Sequence, residues 1–290
     1  MFIRYGARMY MADLGRWGAI DPLSEMYYPF SPYSFAANNP IKYIDPNGMW
    51  IDIKDGDTTY RYNGGKLYTQ NSETKKWDVE ATVDSNSYVG QIFSALQSMT
   101  GSNSDSFGSK FLGLFENDDI NATIQDSKRF QLERFRGKNF TLNNDIYTGF
   151  NQEVNIYTSM FGESSKRRDS PFHVTLFHEL GHTWLNQIGS KEELGKVWVD
   201  GDEYNLEGSI KQSEIAASYI ENLLRSEQNL PIRTSYSPDA ASASTLVNSI
   251  VRSPAINKTN GGINSNVERR VFTMPASVQV IYNKMLNNKK

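Results

Sequence analysis

Apolar residues recur along this chain at two spacings, which separate helices from strands. In SYVGQIFSALQSM, Ser87 to Met99, the spacing is helical, and KFLGLF, Lys110 to Phe115, reads as a short apolar helix. In PFHVTLFHELGHTW, Pro171 to Trp184, the apolar faces come from Phe172, Leu176, Phe177, Leu180 and Trp184, continued by Leu185. That pattern predicts a buried helix. Ser170 is its expected N-cap, Pro171 belongs to its first turn, and Gly189 ends it. A second helix is predicted from Ser209, as N-cap, to Glu227, ended by NLP.

Alternation of period two predicts the strands. TTYRY and KLYTQ flank NGG, a strong hairpin signal. INATIQ, Ile120 to Gln125, and EVNIYTSM, Glu153 to Met160, read as further strands, and RRVFTM, Arg269 to Met274, as a late one. GSNSDSFGS, Gly101 to Ser109, and the basic GESSKRRDS, Gly162 to Ser170, read as loops, the second a solvated surface. Beyond Pro238 the composition turns to Ser, Ala, Asn and Thr. Mobile loops are expected from about Ala240 to Asn266, with a short final helix in ASVQVIYNKML, Ala276 to Leu286. The first fifty residues are rich in Tyr, Pro, Gly and Asn, which suits short strands joined by tight turns. So small a β segment cannot bury both faces alone. The fold class expected is α+β.

Composition narrows the chemistry. With 38% hydrophobic residues among 290, a real core is within reach. A formal net charge of -3 argues against a dedicated nucleic-acid binder. The absence of cysteine excludes disulfides and thiolate metal sites. No run of about 18 apolar residues predicts a membrane span, and the start, MFIRYGARMYMADLG, lacks the apolar stretch of a secretory signal.

All three histidines of the chain fall in the one predicted helix. His178 and His182 are four residues apart, which puts both rings on one face, one turn apart, where they can bind one metal ion. Glu179, at the edge of that face, reaches a water at the metal but is poorly placed as a ligand. HELGH is thus the H-E-x-x-H pattern of the zincins. A zinc ion (Zn2+) held there lowers the pKa of water toward ~7 and polarises a carbonyl, while the glutamate takes the proton. Gly181 costs about 1 kcal/mol against Ala in mid-helix, which close approach of another element would justify. His173 is rotated off the metal face and is expected to be structural or exposed.

A catalytic zinc needs a third protein ligand and one open position. With no further His or Cys, that ligand is a carboxylate: Glu203, Glu207, Glu214 or Glu221, with Asp202 a weaker candidate. The segment SEIAASYIENLLR, Ser213 to Arg225, followed by LPIRTSY, Leu230 to Tyr236, resembles the zinc metallopeptidase effectors that pathogenic bacteria inject into host cells, which are gluzincin-like. The resemblance implies Glu214 as the third ligand and Glu221 with Arg225 as a structural i,i+4 ion pair. It also implies Arg233 and Tyr236 as donors to a developing oxyanion. The neighbours agree on Glu214: Ala217 and Ser218 are small and let the second helix approach Gly181, whereas Arg225 competes for Glu221. Glu203 and Glu207 fall in a loop, where a ligand is held less well.

YGARMY (5–10), LGRW (14–17), DP at Asp21-Pro22, SPYSF (31–35) and NNPIKYIDPNGM (38–49) resemble the RHS repeat-associated core, the segment that closes the β-shell of RHS proteins. That resemblance implies a C-terminal toxin or effector domain after the core. Some members cleave themselves after the final Asp-Pro-x-Gly-x, which here is Met49-Trp50, with Asp21 and Asp45 as candidate aspartates. LSEMYY follows Asp21-Pro22 without the Gly of many self-cleaving members, which counts against cleavage.

The organisation expected is an RHS core remnant at 1–49, a β-hairpin connector at 50–85, a zinc metallopeptidase domain at 86–239, and a flexible segment with a last strand and helix at 240–290. The function expected is a zinc endopeptidase toxin that needs no signal peptide, is delivered on an RHS shell, and cleaves a protein in the recipient cytosol. An adjacent immunity protein would mark bacterial competition. Two alternatives are a hydrolase of cell-wall peptides and a non-enzymatic RHS surface fragment with structural zinc.

Overall fold

The computed structural model describes residues 2–5, 8–11, 16–17, 50–100, 106–117, 120–150, 156–159, 164–189, 191–204, 206, 208–237, 239, 241, 244 and 246. The chain divides into two compact units, Met1–Met49 with Glu116–Asp119, and Trp50–Phe115 with Ile120–Lys290. In the first unit β1 (Phe2–Tyr5), β2 (Arg8–Met11) and β3 (Arg16–Trp17) form an antiparallel meander in that order. Asp21, Asp45 and the 269–274 and 276–286 elements lie outside the described residues.

The second unit is α+β. Its sheet is built from β4 (Ile51–Asp55), β5 (Thr58–Asn63), β6 (Lys66–Thr69), β7 (Val79–Glu80), β8 (Ala122–Asp126), β9 (Phe140–Leu142) and β10 (Asp145–Thr148). The strand order is β7-β6-β5-β4-β8-β10-β9. The hairpin around Gly64 and Gly65 forms as its sequence predicts. Both glycines have positive φ, 57° and 80°, which the tight turn requires. β8 runs parallel to β4 and to β10, and a parallel return needs a long crossover. α1 (Tyr88–Thr100) and α2 (Phe107–Asn117) lie in the chain between β7 and β8 and supply it. The expected 50–85 connector is therefore part of the sheet itself, because β4 pairs directly with β8.

Period two is visible in the core: Ile51 and Ile53 are buried, while Asp52 between them is half-buried and Lys54 is exposed. Ile124 and Ile146 are also fully buried. α1 packs on β4, and α3 (Phe172–Ile188) packs on β9 and β10. Rings join α2 to α3, with Phe111 and Phe177 centroids 4.8 Å apart. Next along the chain are α4 (Lys191–Leu194) and a β13 (Val197–Val199) and β14 (Ile210–Lys211) pair. α5 (Gln212–Glu227) follows. A three-stranded sheet runs β12 (Lys166–Arg168), β11 (Ile156–Ser159), β15 (Ile232–Arg233). No helix among the described residues is long and apolar enough to cross a membrane.

Several local expectations give way to tertiary partners. Ser170 does not cap α3: its hydroxyl accepts from Arg225 Nη2 at 2.6 Å, and Pro171 stands at the N-cap. Ser209 does not cap α5: its hydroxyl accepts from the Gly201 N–H, and Lys211 precedes the helix. Phe107 to Ser109, expected in a loop, open α2, because Glu227 accepts from the N–H groups of Phe107 and Gly108 at 2.7 and 3.1 Å. Lys166 to Arg168 form a charged edge strand and not a loop, with the Arg167 guanidinium over the Tyr157 ring. Ser244 and Leu246, within the stretch expected to be mobile, are buried and paired with Tyr236 and Thr234.

Candidate metal centre

α3 and α5 pack against each other, and the two helices bring the candidate ligands together. A Cβ placed on Gly181 would sit 3.3 Å from Ile220 Cδ1 and 3.6 Å from Ala217 Cα. The glycine and the small Ala217 thus allow the close approach. One turn before Ala217, Glu214 points at the His178 and His182 rings. Glu214 Oε2 lies 3.1 Å from His178 Nε2 and 3.0 Å from His182 Nε2, and the two Nε2 atoms are 3.1 Å apart. His178, His182 and Glu214 form the one cluster of metal-ligand character found among the described residues.

The tautomer of His178 follows from its other nitrogen. Nδ1 is 3.0 Å from Oε2 of Glu221, a fully buried carboxylate. An ionised carboxylate only accepts, so Nδ1 donates, and Nε2 is the nitrogen left facing the cluster, where it carries a proton or, once that proton is displaced, offers its lone pair to a cation. Burial alone would raise the pKa of Glu221, but the charges of Arg233 and Arg225 outweigh it and hold the pKa down. Arg225 Nε donates to Glu221 Oε1 at 2.6 Å and Arg233 Nη1 to Oε2 at 3.0 Å. Burial also works against charge at Glu214, yet the charge of His182 and the hydrogen bonds of both histidines hold its pKa well below the usual carboxylate range. At His178 burial lowers the pKa, and the hydrogen bonds of Glu214 and Glu221 override it, to about 10.

Two imidazole lone pairs and a carboxylate oxygen converging on one point repel one another unless a cation or a proton sits between them. Tetrahedral zinc with ligands at 2.0–2.2 Å separates its donor atoms by about 3.3 Å, close to the spacings here. The donor set fits a metal.

No protein-family model matches the chain, and no significant match is found among characterised proteins or solved structures. The site therefore rests on its own geometry.

Glu179 lies next to the cluster and is buried. Burial raises its pKa against the lowering effect of His182, His178 and a hydrogen bond from Thr141. The Tyr236 ring stacks on His178, with centroids 6.3 Å apart and planes 28° apart. Arg233, expected as an oxyanion donor, is 1% exposed, and its guanidinium donates to Glu221 and to the Tyr236 carbonyl at 2.9 Å, with its aliphatic-side Nε 3.4 Å from the Ser235 carbonyl. These contacts tie it to Glu221. His173 takes no part in the cluster. Its Nε2 is 2.7 Å from Gln228 Oε1, and Gln228 donates on to the Ser98 carbonyl. Asp202 and Glu203 are exposed, and Glu207 lies outside the described residues.

Two participants escape a reading of the residues alone. Glu221 has a second role beyond its ion pair, orienting His178. Its signal is the E-N-x-x-R run, of which each named residue is used: Asn222 donates to the Arg233 carbonyl and accepts its N–H. Thr141 carries no sequence signal.

Proposed function

We propose that this chain is a zinc-dependent endopeptidase. The observation that carries the reading is the convergence of His178 Nε2, His182 Nε2 and Glu214 Oε2, with the buried Glu179 beside them. Two nitrogens and one carboxylate oxygen are the donor set of a catalytic zinc site with one open position. A structural site would be closed by a fourth ligand, and none joins the cluster among the described residues.

Bound zinc supplies Lewis acidity to a peptide carbonyl and acidifies water. The protein residues do the rest. Glu221 keeps His178 in the tautomer that binds metal. Glu179 takes a proton from the attacking water on a carboxylate oxygen and returns it to the departing amine nitrogen. Tyr236, stacked on His178, carries a phenol suited to donate to the carbonyl oxygen as negative charge builds there.

The delivery side of the reading rests on the likeness of residues 5–49 to the RHS core. On it, the peptidase is a toxin or effector whose substrate is a protein in the recipient cytosol. Expression in a recipient cell, once in the cytosol and once exported to the periplasm, separates the targets. Toxicity confined to the periplasm would replace a cytosolic protein with cell-wall peptides.

The peptidase is tested by metal content and by cleavage of labelled casein. The purified chain binds one zinc per molecule, and His178→Ala, His182→Ala and Glu214→Ala lose it. Glu179→Gln keeps zinc and loses cleavage. Equal zinc in every variant, or full cleavage by Glu179→Gln, would sink the reading.

A further inference from the structure

A buried carboxylate settles on whatever donor reaches it. For Glu179 that donor is the Thr141 hydroxyl, 2.6 Å from Oε2. The same hydroxyl oxygen lies 3.1 Å from the Glu179 carbonyl. One hydroxyl proton serves one acceptor well, and the shorter contact to the charged group takes it. With Oε2 held, Oε1 is left to exchange a proton.

Thr141 is itself fixed. It sits in the middle of β9, paired with Ile146 of β10. Its neighbour Phe140 stacks on Tyr147 with centroids 4.9 Å apart. Phe130 meets Phe140 edge-on at 4.9 Å, and Phe135 meets it at 5.0 Å. A three-residue strand at the end of a sheet is weak on pairing alone. This ring cluster anchors it where the threonine meets α3.

We propose that Thr141 is the positioning residue for Glu179, fixing the carboxylate beside the ligand cluster and tying it to the terminal strand β9. The proposal rests on the peptidase reading for its role in the reaction. The contact itself can be tested without it. Thr141 forms and breaks no covalent bond, and its hydroxyl keeps its proton throughout.

The test uses the full chain with 13C at the glutamate carboxyl carbons. Glu179 is assigned as the resonance missing from Glu179→Gln. Thr141→Val keeps the side-chain shape and removes the hydroxyl, and the Glu179 resonance moves. Thr141→Ser brings it back to the wild-type position. In parallel, kcat on labelled casein falls roughly tenfold to a hundredfold in Thr141→Val while KM and zinc content stay level, and Thr141→Ser recovers most of it. A Glu179 resonance unchanged in Thr141→Val overturns the proposal whatever the activity does. So does a serine variant that behaves like the valine one. A resonance that moves in a protein whose wild type never cleaves casein supports the contact and removes the peptidase reading.

Discussion

At the scale of single residues, the cluster leans on Glu221, which is fully buried behind it. Its carboxylate faces His178 on one side and two guanidiniums on the other. Removing it with Glu221→Ala leaves Arg225 and Arg233 buried without their partner, at a cost of about 3–5 kcal/mol. Glu221→Gln keeps the volume but can offer its NH2 to His178, which favours the wrong tautomer. Zinc affinity should fall roughly 10–100-fold in that variant. A zinc titration against a competing chelator reads this, and wild-type affinity in Glu221→Gln would show that the orienting contact has no consequence. His173 makes a separate prediction. Burial, helped by Arg225 and opposed by the Gln228 hydrogen bond, lowers its pKa from the ordinary 6.5. A histidine with a lowered folded pKa contributes stability above pH 6.5 and loses it as pH falls through the folded value. The stability deficit of His173→Gln relative to wild type should therefore shrink between about pH 8 and about pH 5. Thermal midpoints of the two proteins across that range check it, and a deficit that grows on acidification would reverse the sign.

At the scale of elements, Gly181 sets how closely α3 and α5 approach. Gly181→Ala adds helix propensity of about 1 kcal/mol and meets only the tip of Ile220, so it should be close to neutral. Gly181→Leu overfills the same gap and costs about 1–3 kcal/mol or more. It also moves Glu214 from the histidines, so zinc affinity should fall with stability. A leucine variant with unchanged melting and zinc binding would mean that the helices are not held at this point. The helix periods, the NGG hairpin and the approach at Gly181 with Ala217 could be read from the sequence, because local spacing and residue size decide them. The caps could not. Ser170 is drawn to Arg225, 55 positions downstream, and Glu227 caps a helix that begins 120 positions upstream. Thr141 was invisible for the same reason, since only the pairing of β9 with β10 carries it to Glu179. The convergence of His178, His182 and Glu214 was legible because two of them share one helix turn and the third lies on the next long helix.

At the scale of the whole molecule, the chain divides between Met49 and Trp50. Every residue of the candidate metal cluster belongs to the second unit, whose sheet runs unbroken from β7 to β9. Among the described residues Trp50 is the first tied into it. Its carbonyl accepts from the Ala122 N–H at 3.3 Å, and its ring lies 3.8 Å from the Arg61 guanidinium. Arg61 is sandwiched on its other face by Trp77 at 3.9 Å and held to Asp52 at 2.8 Å. The stack closes the end of β4 and β5 at the point where the chain enters the sheet. A chain that begins at Trp50 therefore keeps every strand and helix of the site and should fold, bind one zinc and melt close to the full chain. Trp50→Ala in that shortened chain removes one face of the stack and costs about 1–2 kcal/mol. Zinc binding should survive, because the ligands lie on α3 and α5. Melting curves and zinc content of the full chain, the shortened chain and its Trp50→Ala variant decide the matter. If the shortened chain aggregates or loses zinc while the full chain does not, residues 1–49 are needed to fold the site, and the two units are one cooperative body.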